Sequence, residues 1–264
     1  MNRDCAMGAS HNPVILTYHS ISHGDSPLKI SPELFAEQME WLRDNARVVS
    51  LSEIVAALAS HRPLPERTVV LTFDDGFQDF YTSAAPLLHR WALPATVFLA
   101  TGYCGRTNGW PGQPDWVNQQ PLLSWEQVAE LARQGFSFGA HSVSHPVLTR
   151  LPAVEAQQEI IQCKAQIEEH VGQPVEFFCY PYGRWNPAVR NIVNQYYKGA
   201  CATIAQAINL GSDLFALPRA DAHYLRHRGL FRTLFTGRFL AYLATRRLIR
   251  RIRREPEGGS YSQR

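Results

Sequence analysis

Two adjacent carboxylates, Asp74 and Asp75, directly follow an apolar run in residues 68–76, TVVLTFDDG. The run is continuously hydrophobic instead of alternating, which predicts a strand that is buried on both faces. Because Gly76 breaks the pattern, the two aspartates should lie at the carboxyl end of this strand, where α/β proteins place their active sites. Neighbouring side chains on a strand point to opposite sides, so the pair can serve two partners, such as a metal and a proton. The alternative is an ordinary Asp-Gly turn.

Two histidines follow another short apolar segment, in residues 135–146, GFSFGAHSVSHP. His141 and His145 have the four-residue spacing of the helical zinc pair of metalloproteases. In that motif a glutamate follows the first histidine, whereas Ser142 stands here, and Pro146 disfavours helical geometry at His145. We therefore predict a loop after a strand. Two histidines and one carboxylate, with open positions for water, are a common catalytic metal set, although a lone histidine pair is more often structural.

Three motifs occur in a fixed order along the chain: TFDDG, HSVSHP and, at residues 180–183, YPYG. Together they resemble the motifs of the polysaccharide deacetylases, carbohydrate esterase family 4, and the similarity covers residues 11–222. The resemblance implies an α/β fold, a distorted (β/α)7-type barrel, and a hydrolase that removes N-acetyl groups from amino sugars. It is closest to the subgroup that acts on poly-N-acetylglucosamine, which places the protein in exopolysaccharide biosynthesis.

Matched residue by residue, the resemblance implies that Asp75, His141 and His145 bind a metal and that Asp74 is the catalytic base. Zinc is the expected metal, with Ni²⁺, Co²⁺ or Fe²⁺ as alternatives. A bound divalent ion would polarise the acetamide carbonyl and lower the pKa of a water molecule toward ~7.

The first predicted strand, residues 14–20, VILTYHS, ends in Tyr18 and His19. A histidine at such a position can be an ordinary residue of the strand end. In the poly-N-acetylglucosamine subgroup, however, an N-terminal YH supplies the acid histidine, so the resemblance makes His19 the candidate general acid. Imidazole has a pKa near ~6.5, so a neighbouring carboxylate would keep it protonated and ready to donate to a leaving amine.

The YPYG motif supplies further site candidates. In the family, the backbone N–H of its second tyrosine, here Tyr182, helps to hold the developing oxyanion, a term of ~10² to 10³ in rate for one donor. Pro181 is a candidate substrate contact. Many members carry an arginine four residues before the glycine, where this chain has Cys179. Arg219, in LPRAD, is the candidate replacement, steadied by Asp221; the alternative is a structural salt bridge.

Strand and helix signals alternate along the chain, which favours a parallel sheet. Ser31 before Pro32 predicts a helix start, Ser52 predicts another, and Ser124 with Gln127 predicts a capping box. The other predicted elements are strands over residues 95–100 and 175–180, a helix over 77–91, and a helix over 154–171 with its charges on the surface and its isoleucines inward, Ile160, Ile161 and Ile167.

Residues 101–120 are predicted to form a long loop, because they are rich in glycine, proline, asparagine and glutamine. Long loops without structure of their own are often functional. Trp110 and Trp116 in this loop are candidate substrate contacts, since exposed tryptophans stack well on sugars. The alternative is that both rings pack under the loop.

Length and composition fit one large domain of 264 residues, 45% hydrophobic and 19% charged. The five cysteines, without a CxxC pair, predict reduced thiols packed as small hydrophobes: Cys5, Cys104, Cys163, Cys179 and Cys201. Residues 1–13 lack the apolar core of a signal peptide, and no run approaches the ~18 apolar residues of a membrane-spanning helix. These features favour the cytoplasm, with a peripheral position at the inner face of the membrane as a further option.

The composition changes near the C-terminus, where residues 225–254 contain ten arginines and no acid. The other residues carry 16 basic and 23 acidic side chains, so we expect a flexible N-terminus (1–12), an acidic barrel domain (13–224) and a basic tail (225–264). The tail's apolar side chains predict either an anchor on an anionic membrane surface or a terminal helix that covers the barrel. They are Leu230, Phe231, Leu234, Phe235, Phe239, Leu248, Ile249 and Ile252.

The expected partner is an N-acetylated saccharide, either an oligo- or polysaccharide or a lipid-linked intermediate, and no nucleic acid. Two other functions stay open: hydrolysis of a nonsugar amide on the same fold, and noncatalytic glycan binding. A base, three metal ligands and an acid candidate in one sequence favour the enzyme. Iron oxygenases also use a facial metal triad, but not with these motifs.

Overall fold

The computed structural model of the protein describes residues 12–114 and 117–252, with side chains to residue 249. The strands are β1 Val14–Tyr18, β2 Arg47–Val48, β3 Thr68–Phe73, β4 Ala95–Leu99, β5 Ser137–Ala140, β6 Phe177–Cys179, β7 Gly199–Cys201 and β8 Ala220–Asp221. The α-helices are α1 Pro32–Asn45, α2 Leu51–Ala59, α3 Ala85–Arg90, α4 Trp125–Arg133, α5 Ala153–Val171, α6 Pro187–Tyr196, α7 Arg228–Phe231 and α8 Gly237–Ile252.

The strands form one parallel sheet in the order β7-β6-β5-β4-β3-β1-β8, and β2 pairs only with the start of β3. The segment that leads into β8 also reaches β7, because the Leu217 N–H donates to the carbonyl of Ala200 at 2.8 Å. β8 itself pairs with β1. The sheet therefore curls into the distorted (β/α)7-type barrel that the sequence predicts, with helices outside it.

The strands bury both of their faces, as the continuous hydrophobicity of residues 68–73 predicts. One large cluster packs between the sheet and the helices and includes Val69 and Leu71 of β3. A second cluster contains Val70 and lies on the opposite face, where the apolar side chains of α2 also pack. Thr72 and Asp74 continue the face of Val70, because side chains alternate along a strand.

Several helix predictions are confirmed and others need correction. Ser31 caps α1, and Ser124 with Gln127 forms the predicted capping box of α4. The cap of α2 is Ser50, not Ser52, because the Ser50 side chain accepts the Glu53 N–H. The helix predicted over residues 77–91 begins only at a π-helical turn, Phe80–Ala84, and continues as α3. In α5, Ile161 is only half-buried.

The basic C-terminal segment packs against the barrel. Four apolar side chains that the sequence offers as a membrane anchor lie in the large cluster instead: Phe231, Leu234, Phe235 and Phe239. Leu248 and Ile249 remain exposed, and Ile252, Arg253 and Arg254 lie outside the described side chains. Of the two predicted alternatives, the described part of the tail is the helix that covers the barrel. Among the described residues, none of the helices combines the length and hydropathy that a bilayer span requires.

Candidate metal and catalytic site

The polar residues predicted for the site meet at one edge of the sheet. Asp74 and Asp75 follow β3, His141 follows β5, and His19 follows β1. The carboxyl ends of parallel strands share an edge, which brings these distant parts of the sequence together. The HSVSHP motif is a loop after a strand, as predicted, and not a zincin helix.

Asp75, His141 and His145 present three converging ligand atoms. The Nε2 atoms of both histidines lie 3.4 Å from Asp75 Oδ1 and 3.2 Å from each other. Ligands about 2.0–2.2 Å from a tetrahedral Zn²⁺ are roughly 3.3–3.6 Å apart, so the spacing of these atoms fits such an ion. All three side chains are buried. The donor set of two imidazoles and one carboxylate is that of a catalytic metal centre with room for further ligands.

The surrounding backbone fixes the orientation of the two imidazoles. His141 Nδ1 lies 2.7 Å from the carbonyl oxygen of Cys179, which leaves Nε2 for the metal position. The His145 N–H donates to Ser142 Oγ at 3.0 Å, and the imidazole of His145 lies 4.2 Å from the Trp110 ring. Asp75, Ser142 and His145 have positive φ values of 71°, 68° and 55°. Such values are uncommon outside glycine and cluster at functional sites.

Both aspartates are held in their ionised form. Burial would raise the pKa of Asp75, but hydrogen bonds from His141 and His145 outweigh it and hold this pKa far below the usual range. Burial also acts to raise the pKa of Asp74, and the charge and hydrogen bonds of Arg219 overcome this effect. Asp74 is therefore a carboxylate that is ready to accept a proton beside the candidate metal ligands.

Arg219 contacts the predicted catalytic base directly. Its Nη1 and Nη2 donate to Asp74 Oδ1 and Oδ2 at 2.7 and 2.6 Å, in a bidentate pair that is almost fully buried. Nη2 also lies 3.0 Å from Cys179 Sγ, and Nη1 donates to Thr72 Oγ1 at 3.1 Å. The expected support from Asp221 is wrong: Asp221 Oδ1 instead accepts the backbone N–H of His223.

His19 is half-buried at the mouth of a cavity that also contains the candidate metal ligands. This cavity encloses about 460 Å³, counted to its open end. His19, Asp74, Asp75 and Tyr182 all contribute to its wall. The arrangement brings the His19 imidazole, the carboxylate of Asp74 and the candidate metal position around Asp75 to one cavity.

The YPYG motif forms a tight turn beside this cavity, with Pro181–Gly183 in a 3₁₀ helix. Tyr182 has a φ of 57°, and its ring lies 4.6 Å from the His145 ring. Burial raises the pKa of the Tyr182 hydroxyl to about 12, so this phenol is neutral. Pro181 is buried within the turn.

A profile of the polysaccharide deacetylase family matches residues 61–198. The chain belongs to this family. It is 32% identical over 254 residues to the poly-β-1,6-N-acetyl-D-glucosamine N-deacetylase of Escherichia coli K12, with 78% of this chain and 36% of the relative covered. It is 29% identical over 207 residues to YxkH of Bacillus subtilis, named as a polysaccharide deacetylase, with 78% and 69% covered. The chain thus spans only about a third of the E. coli protein.

The solved structures agree with the sequence comparison. The deacetylase PplD of Streptococcus pyogenes, in complex with acetate, is 28% identical and matches with a TM-score of 0.69. The match covers 80% of this chain and 92% of PplD. The polysaccharide deacetylase family and fold expected from the motifs are therefore confirmed, and the relatives include proteins named as poly-β-1,6-N-acetyl-D-glucosamine N-deacetylases, as the expected subgroup predicts.

Trp110 is not the exposed, sugar-stacking residue that one of the two alternatives predicts. It is 5% exposed and packs under its loop, against His145 and 5.5 Å from the Tyr103 ring. Of the two alternatives for this tryptophan, the packed one is correct, although Trp110 still contributes to the cavity wall. Trp116 lies outside the described residues, as does Cys5. Cys163, Cys179 and Cys201 are buried free thiols, as predicted, and Cys104 is a half-buried one.

Glu159 is a site residue that the sequence analysis missed. Its carboxylate accepts the backbone N–H groups of Val143 and Ser144, each at 2.8 Å, and the Ser144 hydroxyl at 2.6 Å. The charges of this helix, α5, are thus not all ordinary surface charges, because this one holds the histidine loop. The helical spacing alone carries no signal for this role, since the loop and α5 meet only in the folded chain.

Asp79 has a similar role beside His19. Asp79 Oδ1 accepts the Ile21 N–H at 2.9 Å, and Oδ2 accepts the Ser20 hydroxyl at 2.5 Å. These bonds hold the two residues that follow His19. Burial raises the pKa of Asp79. The proximity of Asp79 to TFDDG in sequence is the one feature that could have pointed to it.

Proposed function

We propose that the protein is a metal-dependent hydrolase that removes N-acetyl groups from a saccharide containing N-acetylhexosamine. The observation that carries this proposal is the convergence of Asp75, His141 and His145 next to Asp74, a buried carboxylate held by Arg219. The name of the E. coli relative supports an N-acetylated glucosamine polymer as the substrate class. Zinc suits the two imidazoles and one carboxylate best.

Each remaining step follows from the residues around this centre. Asp75, His141 and His145 would hold a divalent ion, which would supply Lewis-acid chemistry and lower the pKa of a water molecule there. Asp74 takes the proton of the attacking water, and Arg219 keeps its two oxygens oriented. The backbone N–H of Tyr182 donates to the oxygen of the tetrahedral centre. His19 gives a proton to the nitrogen as the C–N bond breaks, so acetate and a free amine leave.

The test is mass spectrometry of the products from a panel of N-acetylated glucosamine oligosaccharides with β-1,4 and β-1,6 linkages. We expect the loss of acetyl groups, each matched by one acetate, and the loss of activity on chelation with recovery on adding Zn²⁺. If the protein cleaves only nonsugar acetamides, its substrate is not a saccharide and the first alternative function is correct. If it binds metal and glycan tightly without turnover, it is a noncatalytic glycan-binding protein.

Single substitutions separate the metal ligands from the base. Asp75→Ala should lose both bound metal and activity, because it removes the carboxylate ligand. Asp74→Asn should keep the metal and lower kcat by roughly 10² to 10⁴, since it removes the proton acceptor but leaves all three metal ligands in place. Metal content and kcat are measured on the same samples. Asp44→Asn, an exposed aspartate paired with its neighbour Arg43, is the matched control. Near-normal turnover of Asp74→Asn would contradict this division of roles.

A further inference from the structure

The cavity at the candidate metal site continues along helix α8. His19 and Thr203 line both this cavity and a second, neighbouring one. Ala205 and Leu243 in turn line both the second cavity and a third, more open one beside α8. The shared side chains place the three cavities side by side, and together we call them the α8 groove. They extend from the metal ligands, past His19, to the exposed Leu248.

An arginine side chain, that of Arg246, lies in the middle part of the α8 groove. Arg246 lines the second cavity, and its guanidinium lies 3.4 Å from the centroid of the Tyr224 ring. The Tyr242 hydroxyl donates to the Tyr224 carbonyl at 3.1 Å, which ties α8 to this ring's segment. Among the described residues, Arg246 Nε is buried and has no hydrogen-bond partner. A guanidinium stacked on a ring keeps its N–H edge available, and that edge matches a phosphate or carboxylate.

The charges around this part of the groove favour an anion. Asp221 is the carboxylate in the described lining of the second cavity, and its Oδ1 already accepts the His223 N–H. Arg219, also in the lining, is paired with Asp74. Burial lowers the pKa of His223, Asp221 acts to raise it, and Arg226 and Arg246 act to lower it. Of the two arginines in this lining, Arg246 is the one that no described carboxylate pairs with.

The far end of the groove is apolar. Its wall consists of Leu240, Leu243, Ala244 and Leu248 of α8 together with Ala205 and Ala207. Leu248 is 57% exposed, although it lies on a helix whose other apolar residues are mostly covered. Arg247 stands at the edge of this wall and donates to Gln206 Oε1 at 3.2 Å. An apolar chain of a ligand would bury this surface without leaving the groove.

The α8 groove presents the metal ligands, then Arg246, then an apolar wall. From this order we propose that the substrate is an amphiphilic glycan. The groove holds an N-acetylated sugar at the metal ligands, a phosphate at Arg246 and an apolar chain along Leu240, Ala244 and Leu248. This inference rests on the proposed deacetylase function and names its substrate class. The apolar wall distinguishes a lipid-carried saccharide phosphate from a free sugar phosphate, because only the former has a group that fits it.

The test compares kcat/KM for three soluble probes: di-N-acetylchitobiose, its 1-phosphate, and the same phosphate esterified with a short prenyl chain. We expect the phosphate to raise kcat/KM by about 10-fold or more, as one charge-assisted pair allows, and the prenyl chain to raise it again. Equal rates on all three would overturn the proposal but leave the deacetylase function intact. No turnover of any probe, together with no acetate release from the oligosaccharide panel above, would overturn both. A gain from phosphate without a gain from the chain would overturn the lipid-carried substrate.

Substitutions in the α8 groove test which side chains cause these gains in kcat/KM. Arg246→Gln should reduce the preference for phosphorylated over neutral probe to near unity, while Arg238→Gln, an exposed arginine of the same helix outside the lining, should keep it. Leu248→Gln should reduce the gain from the prenyl chain, while Ile249→Gln, also exposed but outside the lining, should not. Because each readout is a ratio between probes on one variant, a general loss of folding does not imitate it. Equal effects of a groove variant and its control would contradict the assignment.

Discussion

Arg219 and Asp74 form the ion pair on which the candidate base depends. The guanidinium reaches Asp74 from a strand end 145 residues away, with both of its nitrogens at hydrogen-bond distance. Cys179, which stands where many relatives have an arginine, contacts the same guanidinium. A buried carboxylate stays ionised only with a charged partner of this kind. Arg219, directly before β8, therefore supplies the positive charge that the motif itself lacks.

Arg219→Gln should damage both stability and the pH profile. The pKa of Asp74 is lowered below 3.8 in the folded protein, so its ion pair stabilises the fold above that pH and is lost as the pH falls. Without Arg219 the unpaired carboxylate has a higher pKa, so the acidic limb of kcat/KM moves to higher pH. Breaking one partner of a buried pair costs about 3–5 kcal/mol of unfolding free energy.

Urea unfolding and the pH profile check this prediction. The exposed bidentate pair of Arg190 with Asp213 is the matched control, and Arg190→Gln should cost less than about 1 kcal/mol. The double variant Asp74→Asn with Arg219→Gln should be more stable than Arg219→Gln alone, since no buried charge is left unpaired. An unchanged acidic limb in Arg219→Gln would show that this arginine does not tune the base.

His19 should behave as a general acid. His19→Ala should lower kcat by roughly 10² to 10⁴ with metal content unchanged, because the leaving amine loses its proton donor. An acid must be protonated to act, so the wild type should lose activity as the pH rises and the variant should lack this alkaline limb. His23→Ala, an exposed histidine near His19 in sequence, is the control. If His19→Ala retains the alkaline limb, His19 is an ordinary residue at the strand end.

At the scale of elements, the site is built from the short turns that follow the strands. These turns carry the positive φ values of Asp75, His145 and Tyr182, which neighbouring packing must hold in place. Glu159 of α5 satisfies the N–H groups of the histidine loop. Asp79 does the same for the segment after β1. Helices next to the barrel thus position loops whose own sequences do not determine their conformation.

The turn after β6 offers a test of this dependence. Gly183 has a φ of 64°, and a Cβ there would come within 2.0 Å of Thr203 Oγ1. Gly183→Ala should therefore displace Tyr182 and lower kcat, in addition to the cost of about 1–2 kcal/mol for a left-handed residue. Gly172→Ala at the end of α5 has nearly the same φ, 68°, with open space around it. It should show the backbone cost alone, by urea unfolding, with kcat unchanged; an equal fall of kcat in both would contradict the steric argument.

At the scale of the whole molecule, the C-terminal segment completes the core. Phe235 stacks on Trp41 of α1 with ring centroids 5.9 Å apart, and Phe239 is fully buried. The segment also supplies the outer wall of the α8 groove. Among its arginines with described side chains, Arg228, Arg232 and Arg238 are exposed, whereas Arg226, Arg246 and Arg247 are partly buried. Cytoplasmic localisation and attachment to an anionic membrane stay predictions, and cosedimentation of the full chain with anionic liposomes would test the attachment.

Phe239→Ala should destabilise the entire domain. Removing a fully buried phenylalanine costs about 3–5 kcal/mol through lost burial and a new cavity. Leu248→Ala, on the same helix but 57% exposed, should change the unfolding free energy by less than about 0.5 kcal/mol. Both are measured by urea unfolding. A Phe239→Ala protein as stable as the wild type would mean that α8 is an appendage and not part of the core.

The sequence by itself determined the parallel sheet and the strand ends that carry Asp74, Asp75, His141 and His19, whereas the barrel was implied by the resemblance of its motifs to a known family. These features are local: a continuous apolar run predicts a doubly buried strand, a glycine or proline ends it, and polar residues at that point face the edge of the sheet. The spacing of the three motifs was enough to identify the family. Helix caps were also readable, within two residues of their true positions at α2.

Only the tertiary structure decided which distant side chains meet. The contact of Arg219 with Asp74 and the burial of Trp110 could each be offered only as one of two alternatives, while the contact of Glu159 with the histidine loop had no sequence signal. Amphipathic arginine-rich segments have the same sequence pattern whether a membrane or a barrel covers their apolar face. The pattern shows that one face is buried, but it does not show what covers that face. Packing between elements far apart in sequence selects the partner, and that selection is a property of the folded chain.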